Sequence, residues 1–167
     1  MAVSGGPAAP APDEPTAFAD WVRPHLRPMT LLAARLAPYG DRDDVVQEAL
    51  ARAWAKRHLY DPTRGTAITW LLAITADQAR KAVRRSRPIA VLSDEPDPRA
   101  DRPEVWLDVE RAVRRLAPQQ RLAVNCYYFV GLTVAQTATV MGCAEGTVKS
   151  TLADARARLR PLLEVSE

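Results

Sequence analysis

GLTVAQTATVMGCAEGTVKS, Gly131 to Ser150, spells a helix, a tight turn and a second helix. Thr133 followed by Gln136 is a capping box, in which the Thr hydroxyl and the Gln amide satisfy orphan backbone N–H groups and start a helix. Gly131 stands just before it as a chain break. The helix is predicted to end at Gly142, a residue able to take the left-handed conformation that a sharp turn needs. The next helix then runs from about Glu145. Its apolar positions Val148, Leu152, Ala155, Leu159 and Leu162 recur at spacings of three and four, so one stripe packs inward. The other side carries Gly146, Thr147, Lys149, Ser150 and Ala153. If this helix enters a major groove, the residues near its start face base edges or phosphates, and Arg156, Arg158 and Arg160 reach backbone further along. The alternative is an ordinary helical hairpin with a solvated basic face.

Working upstream, a second helix is predicted from Thr66 to Arg87. Ile68, Leu71, Leu72, Thr75, Ala79 and Val83 fall on one face at about 100° per residue, with no Pro or Gly to interrupt them. On the opposite face Trp70 lines up with Asp77, Lys81 and Arg84, with Arg85 beside them. An indole displayed among cations gains nothing by facing water. Stacking on an unpaired base would give it a reason, at ~1–3 kcal/mol per base, with Lys81, Arg84 and Arg85 holding the strand's phosphates. The competing explanation is that a neighbouring helix covers Trp70 and the charges are merely solvated.

These residues bring a family into view. The chain resembles the bacterial sigma factors of RNA polymerase, in particular the short extracytoplasmic-function type that keeps only the second and fourth conserved regions. DDVVQEALARAWAKRHLYDPTRGTAITWLLAIT, Asp43 to Thr75, is similar to the second region; LAPQQRLAV through EGTVKSTLADARARLR, Leu116 to Arg160, is similar to the fourth. The resemblance implies core RNA polymerase and promoter DNA as partners, and many members of the family are held inactive by an anti-sigma protein. It assigns Asp43, Asp44, Gln47, Glu48 and Arg52 to polymerase docking. The sequence agrees, because Val46, Ala49, Leu50, Ala53 and Trp54 form an inward stripe that leaves this edge outward. The loop from Tyr60 to Thr69, with Arg64 and Thr66, and the helix carrying Trp70, Asp77, Lys81, Arg84 and Arg85 correspond to the part that grips and melts the minus-ten element. Thr133, Glu145, Gly146, Thr147, Lys149, Ser150, Ala153 and Arg156 correspond to the part that reads the minus-35 element as duplex.

The chain departs from the family pattern at several points. Ala76-Asp77 stands where an Arg-Asn pair is common, and Lys81 where an Asp is. Ala144 replaces the usual Ser cap of the reading helix, at a cost of about 1 kcal/mol. Thr151 and Asp154 stand where Arg is frequent. Pro24 and Pro28 interrupt what is normally a smooth first helix, so a distorted N-terminal hairpin is expected.

Composition fits two small helical domains. The 167 residues are 47% hydrophobic, and the net charge of +3 hides a segregation. Residues 1–20 hold three acids and no Lys or Arg, whereas Arg80 to Arg87 holds five cations and no acid. Such a stripe opposite a core-like face suits phosphates better than a membrane. No signal peptide or spanning segment is evident, so no membrane insertion and a cytoplasmic location are expected. Cys126, Cys143, His25 and His58 are scattered without metal-ligand spacing. No metal or cofactor is therefore expected, and no nucleophile triad, phosphate-cradling Gly loop or carboxylate pair points to an enzyme. Both cysteines read as small buried residues.

The prolines set the organisation. Residues 1–15 are read as a disordered tail and 16–87 as the first helical domain. Residues 88–103, with four prolines and Asp94, Glu95, Asp97 and Asp101, are read as a flexible linker. Residues 104–167 are the helix-turn-helix domain. Its opening helix is expected to turn Trp106, Val109, Val113 and Leu116 inward, and Pro118 to start the next as a first-turn residue. The expected architecture is all-α, without strands, and the expected function is promoter-directed transcription initiation. A stand-alone helix-turn-helix regulator is the alternative, and a nucleic-acid-processing enzyme a more distant one.

Overall fold

The computed structural model describes residues 9–37, 42–86 and 104–164, and every regular element among them is helical. The chain divides into two compact units, Met1–Arg84 and Arg85–Glu167, each with its own core.

In the first unit, α1 (Pro15–Val22) starts at Glu14, whose carboxylate accepts from the backbone N–H of Thr16 (3.0 Å) and of Ala17 (2.8 Å). These bonds hold that carboxyl below its usual pKa. Asp13 pairs with Arg57 at 3.1 Å, so the chain is tied into the fold before the end of the tail expected over 1–15; residues 1–8 lie outside the described residues. A 3-10 turn, Arg23–His25, carries Pro24 and breaks the helix before α2 (Leu26–Leu36). Pro28 does not distort the chain, because it sits in the first turn of α2, where a backbone N–H has no helical acceptor to lose.

Asp43 and Asp44 occupy the first turn of α3 (Arg42–Ala55), where negative charge suits the helix dipole. Val45, Val46, Ala49 and Ala53 are buried, whereas Leu50 and Trp54, expected in the same stripe, are half-buried. α4 (Ala67–Ser86) buries Leu71, Leu72, Thr75 and Ala79 of its predicted face, leaves Ile68 and Val83 of that face half-buried, and also buries Thr69, Ala76 and Gln78 beside it. The Thr75 hydroxyl is satisfied by the Leu71 carbonyl at 2.8 Å.

The second unit comprises α5 (Glu104–Arg114), α6 (Pro118–Val124), α7 (Val134–Met141) and α8 (Glu145–Glu164). Between α6 and α7 the chain widens into a π-helical turn, Asn125–Val130, closed by Gly131 at φ +82°. Val113, Leu116, Ala123, Val124, Ala138, Val148, Leu152 and Ala155 build the core. Pro118 starts α6 as expected, and Arg121 Nη2 pins the preceding corner by donating to the carbonyls of Arg114 (3.0 Å) and Leu116 (3.2 Å).

Trp106 corrects the sequence reading. Expected to point inward, it is 53% exposed, and Glu110 one turn later is buried instead, with Arg114 3.9 Å away. The core begins at Val109, so the first turns of α5 overrun it. Periodicity names a face but not how far the partner surface extends.

Candidate nucleic-acid and partner surfaces

The acidic edge of α3 is outward. Asp43, Asp44, Gln47, Glu48 and Arg52 are all exposed, opposite the buried Val45, Val46 and Ala49, with the Arg42 guanidinium 3.7 Å from the Asp43 carboxylate. A helix that hides its apolar stripe in its own unit and presents carboxylates to solvent suits a partner of opposite charge.

Next to it stands an aromatic cluster. Phe18 and Trp21 of α1 meet Trp54 of α3, Trp70 of α4 and, from the segment between those helices, Tyr60: Phe18 packs edge-on to Trp54 (centroids 5.2 Å), Trp21 lies 5.4 Å from Tyr60 and 6.3 Å from Trp70, and Tyr60 lies 5.3 Å from Trp70. This differs from the displayed indole expected from the sequence. The face arithmetic on α4 holds, but α1 brings Trp21 against the first turn of that face, and Trp70 is half-buried among rings. One part of its surface remains accessible, within a platform that also contains Trp21.

The loop leading to α4 is locally fixed. Asp61 Oδ1 accepts from both the N–H (2.9 Å) and the hydroxyl (2.7 Å) of Thr63, which lowers the carboxyl pKa, and the Tyr60 hydroxyl donates to the Gly65 carbonyl at 3.3 Å. Arg64 and Thr66 project from this loop as exposed residues, and the Thr66 carbonyl accepts from the N–H of Trp70 (3.1 Å) to open the helix. Further along, Asp77 and Lys81 do not act independently. They pair at 2.7 Å, with Arg80 3.8 Å from the same carboxylate, and the Lys81 hydrogen bond is the largest cause that depresses the Asp77 pKa. Arg84 and Arg85 are exposed beyond that pair.

The helix-turn-helix forms as its spelling predicts. Thr133 Oγ1 accepts from the Gln136 N–H at 3.1 Å, and the Thr133 N–H donates to Gln136 Oε1 at 2.9 Å. α7 stops at Gly142, φ +66°, where the Cys143 N–H reaches back to the Ala138 carbonyl at 3.1 Å. On α8, Val148, Leu152 and Ala155 are buried, and Glu145, Gly146, Thr147, Lys149, Ser150, Ala153 and Arg156 are all exposed. The small residues Gly146, Ser150, Ala153 and Ala157 line the middle of the outer face, all exposed. Ala144 contributes only its carbonyl, which accepts from Thr147 N–H (3.1 Å) and Val148 N–H (3.2 Å).

Two matches decide what these surfaces belong to. Residues 21–89 match the family model for Sigma-70 region 2, and residues 106–159 match that for Sigma-70, region 4. The ECF RNA polymerase sigma factor SigM of Mycobacterium tuberculosis is 38% identical over 155 residues, spanning 88% of this chain and 77% of SigM. The chain belongs to the ECF sigma factors.

The sigma factor is also similar to the ECF RNA polymerase sigma factor RpoE of Cereibacter sphaeroides, 30% identical over 126 residues that cover 71% of this chain and 70% of that one. Two solved structures agree in fold. CnrH, in complex with the cytosolic domain of CnrY, superposes with a TM-score of 0.71 at 25% identity over 92% of each chain. The sigma factor RpoE of Bartonella quintana, in complex with the anti-sigma factor NepR, gives 0.67 at 28% identity, over 90% of this chain and 98% of that one.

Three residues of this sigma factor escaped sequence reasoning. Trp21 joins the Trp70 platform, and its spacing of three from Phe18 was the available signal. Arg57 stacks over the Trp54 ring at 3.9 Å while Nη1 donates to the Trp54 carbonyl at 2.8 Å, so one guanidinium clasps Asp13, α3 and the ring. Tyr128 meets Arg156 through the π-helical turn, which no periodicity announces. Among the described residues, no group of three His, Cys, Asp or Glu is arranged to hold a metal ion, and no helix is long and apolar enough to cross a membrane.

Proposed function

We propose that this sigma factor divides initiation between its two units. The outward edge of α3, with Asp43, Asp44, Gln47, Glu48 and Arg52, docks on core RNA polymerase. The loop carrying Arg64 and Thr66, the half-buried Trp70 and the cations Lys81, Arg84 and Arg85 hold the opened minus-ten strand. The start of α8, from Glu145 to Ala153 with Arg156 beyond and Thr133 flanking it on α7, reads the minus-35 duplex. Residues 16–87 and 104–167 act as the two working domains and 88–103 as their tether, a span of about 50–55 Å when fully extended.

The observation that carries this reading is that the acidic edge and the reading helix each back onto a separate core, so each surface can engage its own target. Opening follows from binding: a protein that takes up a base in its unstacked conformation shifts the duplex toward melting, with no covalent step. The sigma factor therefore supplies affinity and not enzymatic chemistry, and it works in the cytoplasm, where its polymerase is. An anti-sigma partner that covers the α3 edge is the natural inhibitor of such a protein; the similar RpoE of Bartonella quintana forms a complex with the anti-sigma factor NepR.

Run-off transcription with purified core polymerase tests the proposal. Specific transcripts are expected only when the sigma factor is added, and Asp44→Lys combined with Glu48→Lys should abolish them while leaving the protein folded. Tight, sequence-specific duplex binding by the chain alone, with core polymerase left untouched, would instead establish a stand-alone regulator.

A further inference from the structure

We infer that Tyr128 is a positioning residue for duplex binding, and that the π-helical turn Asn125–Val130 exists on the DNA-facing side of the second unit to deliver it. The inference rests on the reading of α8 as the duplex-facing helix.

Seven and eleven residues after Lys149, Arg156 and Arg160 return to within about 20° of it around the helix axis. These three cations, with the Glu145 carboxylate at the helix start, form one edge of the outer face of α8, and the small residues Gly146, Ser150, Ala153 and Ala157 occupy its middle. The other edge carries Thr147, Thr151, Asp154 and the exposed Arg158. A helix seated in a groove by its small residues would therefore lay its three-cation edge along one phosphate strand, while the other edge offers one cation, Arg158, beside the carboxylate of Asp154.

Tyr128 stands at the cationic edge. Its hydroxyl accepts a hydrogen bond from Arg156 Nη1 at 3.0 Å, across 28 residues of sequence, and its ring is 49% exposed. The ring packs edge-on against Tyr127, centroids 4.9 Å apart, which fixes its direction. Arg156 is otherwise a long exposed side chain, and such a chain pays rotamer entropy each time it meets a phosphate. The bond to Tyr128 consumes one of its five N–H donors and leaves four, already aimed, for phosphate oxygens. A large ring left at the surface to hold a cation serves no need of the hydrophobic core. Wide helical turns of this type recur at functional sites.

The test is a double-mutant cycle on the full chain, read by fluorescence anisotropy with a labelled mixed-sequence duplex about three helical turns long, from about 50 to 200 mM salt. Tyr128→Phe keeps the ring and removes the hydroxyl. It should weaken binding about fivefold without moving the thermal midpoint. In an Arg156→Ala background, where the salt slope has already fallen by about 0.9, the same change should cost nothing. An equal loss in both backgrounds, or no loss in either while Lys149→Ala still weakens binding, would overturn the inference alone. If Lys149→Ala also left affinity and slope unchanged, the assignment of α8 to duplex DNA would fail, and the role of Tyr128 with it.

Discussion

Replacing Trp70 by Leu separates two roles that the structure superimposes. A fully buried Trp truncated to Ala costs about 3–5 kcal/mol, and Trp70 is half-buried with ring contacts to Trp21 and Tyr60. Those contacts are worth about 0.5–1.5 kcal/mol each beyond area. Trp70→Ala would therefore remove about 2–4 kcal/mol of folding stability, comparable with the ~1–3 kcal/mol that base stacking supplies. Any loss of transcription would then be uninterpretable. Leu retains much of the apolar volume, so the first unit should lose only about 1–2 kcal/mol, a fall of about 4–16 °C in its midpoint. The π face is lost completely. Permanganate footprinting of the holoenzyme on its promoter should show opening reduced by about 5- to 150-fold, with closed-complex affinity within about twofold of wild type. Normal opening by folded Trp70→Leu protein, or equal losses at both steps, would refute the base-stacking role and leave Trp70 as part of the aromatic packing alone.

Four further outcomes follow from the structure. Asp77→Asn should release Lys81 from its 2.7 Å pair and steepen the salt dependence of single-strand binding by about 0.7 in log–log slope; an unchanged slope would mean that Lys81 never reaches a phosphate. Thr137 is fully buried in α7 and its hydroxyl finds no hydrogen-bond partner among the described residues, so Thr137→Val should stabilise the second unit by about 1–2 kcal/mol, seen as a raised urea midpoint and slower hydrogen exchange in α7 and α8. Burial pushes the Cys126 thiol up to about 12, against about 8.5 in an unfolded chain. Above about pH 8.5 the unfolded chain sheds that proton while the folded chain keeps it, so folding stability should decline from there until about 12. At pH 8 a chromogenic disulfide should react with the half-exposed Cys143 and reach Cys126 only on unfolding.

What was legible in the sequence is what is decided locally. The Thr133–Gln136 capping box, the left-handed Gly142 and the start of α8 at Glu145 depend on residues within a few positions of one another, and all three stand where the spelling puts them. The buried faces of α4 and α8 follow from helical period alone. What was not legible depends on which element arrives from a distance. Trp70 was placed on the correct face of α4, but the rings that half-cover it come from α1, nearly fifty residues earlier. Trp106 obeys the period of α5 and is still exposed, because the core ends at Val109. The pairing of Asp77 with Lys81 lay within helical reach, and its significance was hidden by treating each charge as a separate contact. Pro24 breaks the chain and Pro28 does not, a difference set only by position within a first turn.

The wide turn at Asn125–Val130 also bears on how relatives of this chain can diverge. A π-turn stores one more residue than an α-helix would use over the same length. Losing one residue there would let α6 run on as a regular α-helix over nearly the same length and turn, leaving Gly131, the capping box and α8 close to where they stand. A single-codon deletion at that point is thus the smallest genetic change that would erase the bulge presenting Tyr128 while leaving the reading helix aimed as before.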